Sequence, residues 1–345
     1  MADDPKEKGD NSEEAFKQLV EAVFSKSTPT APTSFSPLLE LTLSEALNAP
    51  YLDDYHLKRS RELRDQISEL RRQFEDQAQE LSKEKTSGKQ KQQRIEALEK
   101  TLNDLHAKEN LSFLLDRVNQ EAQRVLLRSE TFRKRFLETK ECIATVMSVD
   151  IRRSTELMLK ARNPDKFASF ITTLGGRLMR IITDSYGVFD KFTGDGVLAF
   201  FPEFYSGIDA AYNAISAADK CHAAFKQLYQ EFRKSFISVL TDIGLGIGID
   251  HGIVHLVQMG GGLTVVGGPV VYACRLSGAP PNVTLVNQPA YEIISDRFGG
   301  YCFATETEIE IKHEGSMLAY DVRLNRRDYK PAVPDWLAEA NQQQS

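Results

Sequence analysis

Two short stretches gather acidic, basic and hydroxyl side chains beside apolar runs. In VMSVDIRRST (146–155), Asp150 ends a β-branched run and is followed by Arg152, Arg153, Ser154 and Thr155. In FDKFTGDGVLAFF (189–201), Asp195 sits in a Thr193-Gly194-Asp195-Gly196 turn between two apolar strands. Two carboxylates on neighbouring strand ends suit phosphoryl transfer. Mg²⁺ and Mn²⁺ take oxygen ligands, usually one or two carboxylates completed by substrate phosphates. A pair of such ions activates an attacking hydroxyl and neutralises a leaving pyrophosphate. Gly194 and Gly196 allow the positive φ and close backbone approach of such a turn. Taken singly, Asp150 also reads as a helix cap and Asp195 as a turn residue.

The elements that must position these residues alternate strand and helix. A strand runs to Asp150, a helix covers 164–186, a hairpin ends at Phe201 and a long helix spans 207–234. Strands at 239–249 and 253–259 and a final pair of strands follow, giving an α+β domain over 142–325 with a mixed, largely antiparallel sheet. Residues 1–37 read as disordered or linker with one short helix at 16–24, and 326–345 as a C-terminal tail.

Between them lies a helical region, 38–137. Leu63, Ile67, Leu70, Phe74 and Leu81, then Ile95, Leu98, Leu102 and Leu105, occupy a and d positions of one heptad frame within 57–109. The frame holds phase across Thr86-Ser87-Gly88. A continuous parallel coiled coil, about 70 Å long at ~1.5 Å per residue, would keep that phase. An antiparallel hairpin would instead turn at 86–89, and a solvated helix without a partner is a third reading. The apolar-rich segment 111–137 reads as a lead-in helix able to transmit a dimer geometry to the following domain.

With 345 residues and a formal net charge of −6, the chain offers no electrostatic reason to expect nucleic acid as its main partner. It has no apolar run of transmembrane length, and MADDPKEKGDNSEE lacks the basic and apolar regions of a signal peptide, so a cytoplasmic protein without a membrane partner is expected. Cys142, Cys221, Cys274 and Cys302 show no metal or redox spacing and read as reduced thiols. His251 and His255 lack a third ligand at suitable spacing and read as structural.

The region 142–325 resembles the class III nucleotidyl cyclase homology domain. The resemblance is carried, in order, by SVDIRRST, DKFTGDG, GLGIGIDHG, VVGGPVVYACRL and LAYDV. It implies a ferredoxin-like core, a homodimer and two Mn²⁺ or Mg²⁺ ions held by Asp150, Asp195 and the carbonyl of Ile151. It further implies that Ser154, Thr155 and the amides of 151–155 wrap a triphosphate, with Arg152 or Arg153 helping, and that Arg275 steadies transition-state charge. Lys191 matches a base-reading lysine and Lys312 the region of a phosphate-binding lysine. Two positions depart from the pattern. Val271 replaces a ribose-orienting asparagine, and Gly268 aligns with the second base-reading position, usually aspartate or threonine.

Those departures, together with MSVDIRRST and DKFTGDG, resemble the bacterial Pycsar pyrimidine cyclases of anti-phage defence. That resemblance implies cyclisation of UTP or CTP to a 3′,5′-cyclic nucleotide that a separate effector reads. A purine cyclase with an altered base pocket and a non-catalytic nucleotide-sensing module are the alternatives.

Overall fold

The computed structural model describes residues 111–259, 262–311 and 315–342, together with positions 65, 68, 69, 72, 73, 76 and 94–98. Most of the heptad segment, the region 1–64 and Lys312 lie outside the described residues. No helix among the described residues is long and apolar enough to cross a membrane.

After a turn of helix at 111–115, α1 (Gln120–Arg128) and α2 (Glu130–Leu137) follow one another. They are separated at Ser129, whose extended backbone closes α1 while its hydroxyl accepts from the Phe132 amide to cap α2. The chain then runs β1 (Glu141–Arg152), α3 (Ser154–Leu159), α4 (Pro164–Asp184), β2 (Val188–Thr193), β3 (Gly196–Pro202) and α5 (Ala210–Glu231). It continues through β4 (Gly244–Met259), β5 (Gly262–Val266), α6 (Gly268–Leu276), β6 (Val283–Val286) and α7 (Gln288–Phe298). It closes with β7 (Cys302–Ile311), β8 (Gly315–Leu324) and α8 (Asp335–Gln342).

The unit β1-α4-β2-β3-α5-β4 has strand order β2-β3-β1-β4, antiparallel throughout. This is the ferredoxin-like arrangement that the motif resemblance implied. β6 adds parallel to β4, and β8 and β7 extend the sheet antiparallel, so it is mixed but mainly antiparallel.

Alternation along β1 sorts its side chains. Met147, Val149 and Ile151 enter a core with Phe170, Leu174, Leu178 and Ile182 of α4 and the alanine-rich face of α5. α4 starts where Asn163 accepts from the Lys166 amide and Pro164 occupies the first turn. The other side of β1 carries Ala144 and Val146, then Ser148 and Asp150. Ala144 and Val146 pack with Leu198, Phe200, Leu114, Val118, Leu126, Phe132 and Phe136.

β4 has its own division of labour. Leu245, Ile247 and Ile249 face the α4–α5 core, while Gly246 and Gly248 meet the backbone of 273–279 so closely that any Cβ would collide with it. Glycine there lets α6 lie directly on the sheet.

Two expectations change at the edges of the domain. Segment 111–137 is broken at Ser129 and packs onto the sheet. Trp336, expected in a tail, is buried in the same cluster, stacked 4.9 Å from Phe132, with its indole N–H donating to the Tyr205 carbonyl at 2.7 Å. The packed unit therefore extends past 142–325 at both ends.

Candidate active site

Asp150 stands opposite Gly246, two residues before the end of β1, and Val149 stands opposite Val197 at the start of β3. Asp195 lies in the two-residue turn closed by the Thr193–Gly196 pair. Gly194 takes φ +77°, and a Cβ on Gly196 would strike the Val149 carbonyl, so both turn glycines have a geometric reason. The turn thus presses on the end of β1. Burial first, then the charge of Asp195, push the Asp150 carboxyl above the ordinary carboxylate range, and Arg152 pulls it back. The Arg152 guanidinium donates to Asp150 Oδ2 at 2.6 Å.

Two carboxylates close enough to repel, one of them bonded by Arg152, fit a hard divalent cation. Among the described residues no cluster of three or more acidic, histidine or cysteine side chains forms. The oxygen donors expected for such an ion are the two aspartates and the Ile151 carbonyl. The Ile151 side chain itself belongs to the core.

Arg153 turns away from this end. At φ 61° it precedes α3, and its guanidinium bonds Glu156 at 2.8 and 2.5 Å and the Asp242 carbonyl at 3.2 Å. Of the two arginines expected to help, Arg152 is at the carboxylates and Arg153 is engaged elsewhere. Ser154 and Thr155 open α3, whose first turn has no side-chain cap.

A second polar group lies further along the same face. Lys191 pairs with Leu198, which pairs with Ser148, and Ser148 is two residues from Asp150, so all four side chains point to one side of the sheet. Lys191 Nζ donates to Thr264 Oγ1 on β5 at 3.1 Å, and the Thr264 hydroxyl donates to Asp190 Oδ2 at 2.7 Å. Adjacent residues of a regular strand would face opposite sides. Here the register slips between Phe189 and Lys191, and this β-bulge lets both Asp190 and Lys191 reach one hydroxyl. Asp190 is buried, which pushes its carboxyl up. The Thr264 bond, Lys191, Arg117 and the Val265 amide pull it down.

Gly268, expected from the resemblance at the second base-reading position, is not the residue that Lys191 meets. Gly268 is the first residue of α6, where a Cβ would meet no atom within 4 Å, and Thr264 occupies the place beside Lys191. Thr264, Asp190 and Arg117 were missed from sequence. The signals for the first two were a lone hydroxyl in the apolar run LTVV and a charged pair, Asp190-Lys191, in mid-strand; Arg117 had none.

Arg275 lies in the last turn of α6, 5.6 Å above the Tyr272 ring. Val271, one helical turn earlier, is 45% exposed. The two histidines have structural partners: His251 Nδ1 is 2.9 Å from Thr145 Oγ1 and His255 Nε2 is 3.6 Å from Glu141. Cys142, Cys221, Cys274 and Cys302 are free thiols.

No protein-family model and no curated protein matches the chain. Among solved structures, it is similar to the adenylyl cyclase CyaB from P. aeruginosa, at 24% identity and TM-score 0.49, over 55% of this chain and 98% of that one. It is also similar to the guanylate cyclase domain of RhGC from Catenaria anguillulae in complex with GTP, at 18% and 0.43, over 55% and 100%. A third similar structure is a class III adenylyl cyclase-like ATP-binding protein from Pseudomonas aeruginosa, at 19% and 0.39, over 46% and 37%.

Proposed function

We propose that this chain is a metal-dependent nucleotidyl cyclase. It would convert a nucleoside triphosphate with an amino-bearing base, ATP or CTP, to the 3′,5′-cyclic nucleotide and pyrophosphate. The observation that carries this reading is the shared face: the Asp150–Asp195 pair at one end and the Lys191–Thr264 pair further along it.

Asp150 and Asp195, with the Ile151 carbonyl, would hold Mg²⁺ or Mn²⁺. When bound, such ions lower the pKa of the ribose 3′-hydroxyl and neutralise the departing pyrophosphate. Arg152, now bonded to Asp150, would be free to turn to the phosphates where a cation takes its place, a role its planar fork suits. The amides and hydroxyls of Ser154 and Thr155 receive the remaining phosphate oxygens. Arg275 supports charge developing on the transferred phosphoryl group.

The base follows from donor and acceptor counting. Lys191 can only donate. The Thr264 hydroxyl spends its proton on Asp190, so toward a ligand it can only accept. With Lys191 at the ring nitrogen and Thr264 at the exocyclic group, a donor beside an acceptor matches a ring nitrogen next to an exocyclic amino group, the edge that adenine and cytosine share. Guanine and uracil, with an N–H beside a carbonyl, fit only with the two contacts exchanged. In the first placement UTP, allowed by the motif resemblance, is disfavoured. On the CTP branch, the Pycsar resemblance carries a role in anti-phage defence with a separate cyclic-nucleotide-activated effector.

A homodimer is part of the proposal. Ile253, Met259 and Val266 on the β4–β5 arm and Val271 on α6 are exposed apolar side chains that a second copy would cover. The Asp150–Asp195 end of one copy would then meet Arg275 and the base-reading pair of the other, so the shared face of each protomer presents parts of two composite sites. The second reading is a nucleotide-binding module without turnover, favoured by Val271 one turn before Arg275.

Incubation with ATP or CTP and Mn²⁺, followed by mass detection of cyclic nucleotide and pyrophosphate, tests the proposal. Equimolar cyclic product and pyrophosphate are expected. Tight nucleotide binding with neither product would establish the module instead.

A further inference from the structure

Arg117 belongs to the segment that precedes the catalytic domain, yet its side chain is built into the base-reading group. Its guanidinium donates to the carbonyls of Phe189 and Leu263 at 3.4 Å each and to that of Asp190. It also lies 3.9 Å from Asp190 Oδ1. The Phe189 amide donates back to the Arg117 carbonyl at 2.9 Å. One guanidinium nitrogen, Nη1, therefore ties β2 to β5 at the bulge, and a Cβ at 262 would strike the same guanidinium. The side chain is 25% exposed and its charge is partly desolvated, a cost that three carbonyls and a carboxylate offset.

We propose that Arg117 is a positioning residue for base selection: it keeps Asp190 an ionised acceptor, which fixes the Thr264 hydroxyl as an acceptor toward the base. The inference rests on the nucleotide reading above. The groups facing Asp190 are Arg117 from the leading segment, Lys191 on its own strand, Thr264 and the Val265 amide on β5, and Cys274 on α6. Lys191 must turn to the base when nucleotide binds, so Arg117 is the cation that stays with the carboxylate. Without it the buried Asp190 carboxyl loses one of the cations that oppose the effect of its burial, which favours the protonated form, a donor. Thr264 can then accept from Asp190 and donate to the ligand, so beside the donor-only Lys191 the site offers two donors and loses its preference for the amino edge. The same arginine links the segment after the heptad region to the base pocket, so a displacement of that segment would reach selectivity before it reached the Asp150–Asp195 end.

The test compares Arg117→Gln, Arg117→Lys and Asp190→Asn with the unaltered protein. Equilibrium binding and turnover are measured with ATP, CTP, GTP and UTP between about pH 6 and 8.5. In Arg117→Gln the preference for amino over keto bases should fall by about tenfold or more. The loss should be greater at the acid end, and it should appear in KM more than in kcat. Arg117→Lys should restore most of the preference. Asp190→Asn, whose amide can donate to Thr264, should lose the preference at every pH, and it serves if Arg117→Gln does not fold.

An unchanged preference in Arg117→Gln or Asp190→Asn, or an equal loss for all four nucleotides, would overturn the role. Absence of cyclic product from the unaltered protein would remove the cyclase reading alone. The binding preferences would still decide the part played by Arg117.

Discussion

The two ends of the candidate site are built on different principles. The Asp150–Asp195 end is open and made by backbone shape: a strand terminus, a two-residue turn and two glycines bring like charges together. The Lys191–Thr264 end is made by side chains. A buried carboxylate, a bulge and an arginine from a distant segment orient one hydroxyl. The first arrangement is unfavourable until a cation arrives. In the second, the Thr264 hydroxyl is oriented beforehand by Asp190, and only Lys191 must turn to meet the base. Chemistry and selection should therefore fail separately when each end is damaged.

The largest expected effect is at the carboxylate end. Asp195→Ala should lower turnover roughly a thousandfold, because metal-ion charge stabilisation is worth several kcal/mol. Nucleotide preference in binding should survive; a variant retaining full turnover would remove the metal assignment. Arg275→Ala should cost about 10²–10³ in kcat with little change in KM, in line with loss of one preorganised donor. A pure KM effect in steady-state kinetics would place Arg275 in ground-state binding instead.

Damage to the other end should look different. Thr264→Val keeps the shape, removes the hydroxyl and strands the Asp190 oxygen. It should reduce the preference for amino bases by about tenfold or more while kcat on the best nucleotide changes less. Competition assays read this directly, and an equal fall for all four nucleotides would erase the distinction between the ends.

The smallest effect concerns stability without metal. The folded-state pKa of Asp150 is raised, so its ionised form costs stability at neutral pH. That cost disappears as pH falls through the raised pKa. Asp195→Asn removes the repelling charge. The variant should melt above the unaltered protein at neutral pH, and the gap should close toward about pH 4. A gap that widened in acid would mean that the two carboxylates do not sense each other.

The carboxylate end was legible in the sequence because its cause is local. Alternation in VMSVDIR sets which side Asp150 faces, and TGDG can hardly be other than a turn. The base-reading end was not. Thr264 meets Lys191 only because β5 folds back along β4 and approaches β2, and because a bulge turns Asp190 toward the same hydroxyl. Spacing along the chain pointed to Gly268, four residues beyond the hydroxyl that Lys191 meets. The helical character of 111–137 was also legible, but not its burial, which depends on the second face of β1 and β3. Trp336, the chain's single tryptophan, was a signal against reading 326–345 as a tail.

One measurement bears on the central claim most directly. The protein is given ATP, CTP, GTP and UTP at equal concentrations with Mn²⁺, and the cyclic products are quantified together. The account predicts cyclic AMP or cyclic CMP in clear excess, accompanied by pyrophosphate. Predominant cyclic UMP or cyclic GMP would contradict the reading of Lys191 and Thr264, and no cyclic product at all would contradict the cyclase.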